Sequence, residues 1–258
     1  MDVNFFGIGC AVPTAHTGHT SFMLTAEDAH GKKTLVLTDA VDSPIQSMMK
    51  IGLDPLELDV LLLTHYHADH ISALPSMLST YNCMERTKPL TIVTNPQTTE
   101  RAQQLLALLE LAPPQLNFPL SYRADYADAA VQIKLLPGRH SVPSSMVRYR
   151  NASETLFYTS DTQYHEGIAE EAHGCDMLIH EATYADGEVA ARAGHSSAEQ
   201  AGRTAQAAAA GTLFLCHLCF EDYGSQEAIL RDARSTFTGQ VSIPEPLRAY
   251  RVRQMVTP

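Results

Sequence analysis

The segment Leu58-Asp59-Val60-Leu61-Leu62-Leu63-Thr64-His65-Tyr66-His67-Ala68-Asp69-His70 decides how the chain is read. It opens on a nearly continuous apolar run, the pattern of a β-strand covered on both faces. It closes on three histidines and an aspartate. In extended backbone, side chains two apart point the same way, so His65 and His67 can share one centre. The chain then turns, which lets Asp69 and His70 face a second. Neutral imidazole and carboxylate are the donors of zinc, and also of manganese or iron. Donors packed this densely after a buried strand argue against a merely solvated polar loop.

Working outward, donor-type residues recur after other apolar runs. His140 follows Ala130–Leu136, Asp161 follows Thr155–Thr159, and His217 follows Leu213–Cys216. Singly, each reads as a turn or cap residue; beside residues 65–70 they supply what a pair of metal ions needs. Val3–Ile8, Ser21–Thr25, Thr34–Thr38 and Leu90–Thr94 read as further strands, with a loop rich in Gly, Pro, Thr and His over Gly9–Thr20. Ala130–Leu136, Met146–Arg150 and Thr155–Thr159 read as antiparallel strands, and Asp176–His180 as a short buried one. Helices are expected from Pro44 to about Gly52 with Ser43 as N-cap, over Pro96–Leu111, over Ser197–Ala210 with Ser196 or Ser197 as N-cap, and over Ser225–Phe237. Two clusters of strands, with helices between and after them, predict an α/β chain. Its two mixed sheets pack together with helices outside, as one domain over residues 1–258.

The composition narrows the function. A chain of 258 residues, 45% apolar and 18% charged, reads as an ordinary globular protein able to bury a core unaided. Its net charge of −11 has the wrong sign for a general phosphate-backbone binder, so broad nucleic-acid affinity is disfavoured. Five cysteines, odd in number and sparsely spaced, speak against a disulfide scaffold and for a reducing compartment, the cytoplasm. The first residues lack a basic stretch followed by an apolar one, so no signal peptide is expected, and no apolar run is long enough for a membrane span. A homodimer is compatible with the sequence, which gives no sign of its interface.

HYHADH at 65–70, followed by His140, Asp161 and His217, resembles the metal-ligand signature of the metallo-β-lactamase superfamily over nearly the whole chain. Gly7-Ile8-Gly9-Cys10-Ala11-Val12-Pro13-Thr14, Leu178-Ile179-His180-Glu181-Ala182-Thr183-Tyr184 and Gly194-His195-Ser196-Ser197-Ala198-Glu199-Gln200 resemble its ribonuclease Z-like branch. The resemblance implies an αββα four-layer sandwich and two divalent ions, zinc foremost, with manganese or iron as alternatives. It implies that His65, His67 and His140 hold the first ion, that Asp69, His70 and His217 hold the second, and that Asp161 bridges both. It also implies catalytic roles for Asp69, Glu181 and His195. Asp69 orients a metal-bridging hydroxide, His195 protonates the leaving oxygen, and Glu181 fixes the tautomer of His195 and supports its charge. His180 reads as structural, His16 and His19 as solvated loop residues, and His30, His165 and His173 as surface residues. Cys216 reads as a small buried apolar group, while Cys219 is left unassigned.

The chain also departs from that branch. The loop Pro13-Thr14-Ala15-His16-Thr17-Gly18 lacks the basic residue and the Arg-Asn pair of transfer-RNA 3′-processing members. Only twenty residues, Ser141 to Ser160, separate His140 from Asp161, and they read as two strands, leaving no room there for a transfer-RNA-binding arm. With the acidic net charge, these departures favour a two-metal phosphodiesterase acting on a small phosphodiester. A transfer-RNA 3′ endonuclease is the alternative. A thioester hydrolase is less favoured because only 41 residues follow His217, too few for the helical substrate domain of that group. A di-iron oxidoreductase would place glutamate where His67 stands, and an inactive binding module would have lost ligands.

Overall fold

The computed structural model describes residues 1–253. The first half of the chain forms β1 (Asp2–Gly7), β2 (Ser21–Glu27), β3 (Lys33–Thr38), β4 (Val60–Leu62), β5 (Leu90–Val93) and β6 (Leu120–Arg123). Helices α1 (Pro44–Lys50), α2 (Ala68–Ile71), α3 (Leu74–Cys83) and α4 (Pro96–Leu108) lie between them. The second half forms β7 (Asp125–Ala127), β8 (Gln132–Pro137), β9 (Ser145–Arg150), β10 (Thr155–Tyr158), β11 (Met177–Glu181), β12 (Thr212–Cys216), β13 (Gln240–Ser242) and β14 (Ala249–Arg251). Its helices are α5 (Gly167–Glu171), α6 (Gly187–Ala193), α7 (Ala198–Ala207), α8 (Phe220–Tyr223) and α9 (Gln226–Arg234).

The strands make two seven-stranded mixed sheets, ordered β14-β1-β2-β3-β4-β5-β6 and β13-β12-β11-β10-β9-β8-β7. In the first sheet β1, β2 and β3 pair antiparallel, and β3 to β6 parallel. In the second, β8, β9 and β10 pair antiparallel, and β10 to β13 parallel. The expected antiparallel reading of 130–159 therefore stands.

Strand periodicity explains the layers. Successive side chains of a strand point to opposite faces. Val60 and Leu62 of β4 join the core shared by both sheets, with Phe22, Leu24, Val36, Tyr149 and Tyr158. Leu61 and Leu63 join a second core with Met23, Leu35 and Leu37, closed by Met48 of α1, Leu74, Met77, Leu78 and Tyr81 of α3, and Ala102 and Leu106 of α4. On the far sheet, Ile168 of α5, Ala198, Ala201 and Ala205 of α7, and Ile229 and Ala233 of α9 are buried. The result is the four-layer αββα arrangement. The two sheets meet through aromatic pairs, Phe5 with Phe214 at 6.0 Å and Phe22 with Tyr158 at 5.1 Å between ring centroids.

Local signals account for the helices nearest the site. Ser197 caps α7 in a full capping box with Gln200. Gly202 is required in that helix, since a Cβ there would stand 2.2 Å from Ala233 O of α9. Gly194 ends α6 in the left-handed region, at φ 85°. Ser43 precedes α1 as expected, but its side chain makes no capping bond, so Pro44 alone marks that start. Among the described residues, no helix is long and apolar enough to cross a membrane.

Candidate metal centre

The donor-type residues lie where strands end. Asp39 follows β3, and residues 65–70 follow β4 and run into α2. His140 follows β8, Asp161 follows β10, Glu181 ends β11 and His217 follows β12. Within each sheet these strands run in one direction, so all the loops carrying the residues open on the same end of the sandwich.

The donors fall into two sets. His65 Nε2 and His140 Nε2 each lie 3.1 Å from His67 Nδ1. His140 Nδ1 lies 2.7 Å from Gly194 O and donates to it, so its Nε2 presents a lone pair. His65 Nδ1 lies 3.1 Å from Thr64 Oγ1, which leaves its Nε2 equally free. In the second set, His70 Nε2 and His217 Nε2 lie 3.3 and 3.2 Å from Asp161 Oδ2, and 3.6 and 3.4 Å from Asp69 Oδ2. The same Asp161 oxygen is 3.7 and 3.9 Å from His65 Nε2 and His140 Nε2, so one atom borders both sets. Tetrahedral zinc with Zn–N near 2.05 Å separates its donors by about 3.3 Å. The spacings above bracket that value. His70 Nε2 and Asp161 Oδ1 are buried without a hydrogen-bond partner, although buried polar atoms are ordinarily satisfied. Converging lone pairs and orphaned buried donors fit a divalent cation on each side of Asp161.

The electrostatics separate the groups. Burial pushes His65 well below the ordinary histidine pKa, with the charge of His70 adding to the effect. His67 and His140 are lowered for the same first reason. Burial would also discharge His70, but Asp161 and Asp39 outweigh it and hold His70 well above its usual value. Burial would protonate Asp161 and Asp69, yet His217 and His70 hold Asp161 far down, and a bond from His217 with the charge of His70 brings Asp69 to about 2. The carboxylates therefore stay charged and His65, His67 and His140 keep neutral lone pairs, whereas His70 holds a proton between Asp161 and Asp39 that a bound cation would displace.

A buried scaffold holds these rings. Asp39 Oδ2 lies 2.8 Å from His70 Nδ1, and Asp39 also accepts from Thr64 N at 2.8 Å and from Thr64 Oγ1. Asp39 went unnoticed in the sequence, although Leu35-Val36-Leu37-Thr38-Asp39 shows the same signal as the other site residues, a donor type directly after an apolar strand. Beside the second set, His195 Nδ1 lies 2.9 Å from Glu181 Oε1. The ring of His195 sits 4.9 Å from that of His140 and 5.2 Å from that of His217, centroid to centroid. Burial lowers the pKa of His195, but Glu181 outweighs this and raises it to about 9. Glu181 itself stays below its ordinary value, because the charge of His195 and its hydrogen bond outweigh burial.

The remaining histidines fall outside the cluster. His180 is fully buried, with Nδ1 2.6 Å from Glu181 O. His16 is exposed, whereas His19 is half-buried and its Nδ1 lies 2.7 Å from Asp42 Oδ1. His30 and His173 are exposed as expected, but His165 is half-buried, with Nε2 lacking a partner, so it is not a simple surface residue. Cys216 is buried against His180 O at 3.7 Å, and Cys219 is half-buried.

Histidines and carboxylates at the strand ends of an αββα sandwich, arranged in two sets around one aspartate oxygen, define a metal-dependent hydrolase of the metallo-β-lactamase fold. The chain belongs to the beta-lactamase superfamily: the model of the beta-lactamase superfamily domain matches residues 34–218. A ribonuclease Z from Aeropyrum pernix is 27% identical over an alignment of 300 residues that covers 93% of this chain and 95% of the relative. The metallo-beta-lactamase fold protein YhfI from Bacillus subtilis shares the fold with a TM-score of 0.82 at 24% identity, covering 96% of this chain and 98% of its own. Human short-form tRNase Z aligns with a TM-score of 0.76 at 21% identity, over 98% of this chain and 99% of its own.

Proposed function

We propose that the protein hydrolyses small phosphodiesters, acting as one unit over residues 1–258, with His65, His67 and His140 holding one divalent ion, Asp69, His70 and His217 a second, and Asp161 shared between them. The observation that carries this reading is the Asp161 oxygen common to both donor sets, with the His195–Glu181 pair directly beside them. Ions bound there, zinc foremost, would supply a water made nucleophilic near neutral pH and a clamp on the phosphoryl oxygens. The side chains do the rest. Asp69, ionised throughout the neutral range, accepts a hydrogen bond from the attacking water and aims it. His195, charged at neutral pH, gives its Nε2 proton to the leaving oxygen, while its Nδ1–H stays on Glu181.

Three features favour a small substrate. Between His140 and Asp161 the chain has room only for β9 and β10. The alignment with the Aeropyrum relative is longer than this entire chain, so that relative carries segments missing here. The net charge of −11 opposes a long polyanion. The unpaired state of Cys10, Cys83, Cys175, Cys216 and Cys219 suits a reducing compartment, the cytoplasm. A second reading, a transfer-RNA 3′ endonuclease, is favoured by the name ribonuclease Z on the Aeropyrum relative.

One experiment separates the two readings. Metal-replete protein is assayed on bis(p-nitrophenyl) phosphate and on a 3′-extended transfer-RNA precursor. Turnover of the small diester that is lost on chelation and in His67→Ala and Asp161→Ala supports the proposal. Efficient cleavage of the precursor at its 3′ end with negligible turnover of the diester replaces it with the second reading. Full activity in either variant ends both.

A further inference from the structure

We propose that Thr183 is a positioning residue that ties the Glu181–His195 pair to His217 through a single hydroxyl, and so sets which nitrogen of His217 is free to bind metal. The inference rests on the metal-centre reading above for its consequence, but not for its geometry.

Thr183 Oγ1 lies 2.7 Å from Glu181 Oε2, 2.9 Å from His217 Nδ1 and 3.2 Å from His195 Nδ1. A hydroxyl has one proton to give and can accept from others. Glu181 is ionised and can only accept, so the threonine proton goes to Oε2. The threonine oxygen must then accept from His217, which keeps a proton of that ring on Nδ1 and reserves Nε2 as the only atom of the ring that can present a lone pair to a metal. That Nε2 is the atom facing Asp161 Oδ2 at 3.2 Å and Asp69 Oδ2 at 3.4 Å. Glu181 thereby serves two rings. One oxygen holds His195 directly, at 2.9 Å, and the other holds His217 through the threonine.

The backbone keeps the relay in place. Thr183 N donates to Ser196 O at 3.0 Å, one residue after His195, and Cys219 N donates to Thr183 O at 3.2 Å, two residues after His217. Thr183 is 3% exposed, so water has little access to replace it. The opposite sheet repeats the device. Thr64 Oγ1 lies 2.9 Å from Asp39 Oδ2 and 3.1 Å from His65 Nδ1, again a threonine between a buried carboxylate and a ring with its Nε2 free. What Thr183 adds is that its carboxylate also holds the proton donor of the proposed reaction.

The test compares Thr183→Val, which keeps the shape and loses the hydroxyl, with Thr183→Ser, which keeps the hydroxyl. Nitrogen-15 NMR of metal-free protein reads the tautomer of His217. Competition with a chelator reads zinc affinity, and steady-state assays on a diester read kcat and KM. The expected result is a protonated Nδ1 at His217 in the parent and in the serine variant, lost in the valine variant. Zinc affinity at the site of Asp69, His70 and His217 should fall about 10–100-fold in the valine variant, the usual range for a contact behind a metal ligand, with serine restoring it. The valine variant should lower kcat with KM little changed. An unprotonated Nδ1 at His217 in the parent overturns the inference even if the valine variant fails to fold. Equal zinc affinity and kcat in folded valine variant and parent overturn it as well. Absence of diester turnover in the parent would sink the proposed function and leave the tautomer result standing on its own.

Discussion

Replacing Glu181 by glutamine removes the charge that holds His195 protonated while keeping the shape of the side chain. Glu181 Oε1 accepts from Thr162 N at 2.9 Å and Oε2 accepts from Thr183 N and Oγ1, so the amide oxygen keeps one of these sets while the NH2 group turns a donor toward the other. His195 stands at about 9 against an ordinary 6.5, although burial alone would push it below that value. The rise is worth roughly 3 kcal/mol in favour of the charged ring. With the carboxylate neutralised, the pKa should return to 6.5 or lower. At pH 7.5 the protonated fraction then drops from nearly all to about one tenth, so a step that needs this proton slows by about tenfold from protonation alone. The assay is kcat/KM from pH 6 to 10 on two diesters, one leaving as an alkoxide and one as p-nitrophenolate. The alkoxide needs a proton and the nitrophenolate does not. For the alkoxide substrate the alkaline limb should move from near 9 to 6.5 or below in Glu181→Gln, while the nitrophenyl substrate loses little. An unmoved limb, or equal losses on both substrates, would refute the assignment of His195 as the acid. Stability offers an independent check. A histidine whose folded pKa is raised contributes fully below 6.5 and loses that contribution as pH rises to about 9. The melting temperature of the metal-free parent should therefore decline over that interval, and the decline should shrink in the variant.

Asp161→Ala removes the oxygen common to both donor sets, so elemental analysis should find fewer than two zinc ions per chain and a loss of affinity beyond the roughly 10–100-fold of an outer contact; two tightly held ions would contradict the shared ligand. Leu62→Ala opens a cavity between the sheets at a fully buried position and should cost about 2–5 kcal/mol in urea unfolding, whereas a cost under 1 kcal/mol would mean that the site collapses freely. Ser197→Ala breaks the capping box of α7 and should cost about 1 kcal/mol, read as a lower denaturation midpoint at unchanged slope.

What the sequence shows of this fold follows from how far a local pattern reaches. Leu58–Thr64 betrays its two-sided burial because both faces of β4 meet apolar layers, and Ser197 with Gln200 announces α7 because capping is decided within four residues. The ladder of β4 itself spans only Val60–Leu62, since pairing partners decide where a ladder stops. The edge strands β6, β7, β13 and β14 went unread. They are three or four residues long, with few buried positions, and partners far away in sequence define them: β14 exists through Ala249, Tyr250 and Arg251 opposite Asn4, Val3 and Asp2. Helix α3 was also missed, although Pro75 in its first turn is a start signal, because its apolar residues Leu74, Met77, Leu78 and Tyr81 follow the site loop after only a short break. The histidines and carboxylates that gather at the strand ends are legible in the sequence because they are donor types directly after apolar runs. The hydroxyls of Thr64 and Thr183 were not, since a threonine after a strand is ordinary until its neighbours in space are known.

The placement of the centre follows from the topology. Each sheet changes from antiparallel to parallel pairing at one strand, β3 in the first sheet and β10 in the second. An aspartate sits just past each of these strands, Asp39 after β3 and Asp161 after β10. The two do different work: Asp39 fixes a histidine ring from behind, and Asp161 faces both donor sets. Three of the eight described non-glycine residues at positive φ lie at these strand ends. Asp39 at φ 60°, Ser160 at φ 50° and His217 at φ 54° occupy the left-handed region without being glycine, at about 1–3 kcal/mol each. A relaxed turn at any of the three would aim the carboxylates and the imidazole elsewhere. The interlocking bonds of Asp39 with Thr64 and His70, and of His217 with Thr20 and Thr183, offset that cost. The strain and the hydrogen bonds therefore belong to one device: the fold holds the strand ends in an unfavourable conformation because only there do residues from distant parts of the chain meet around a common oxygen.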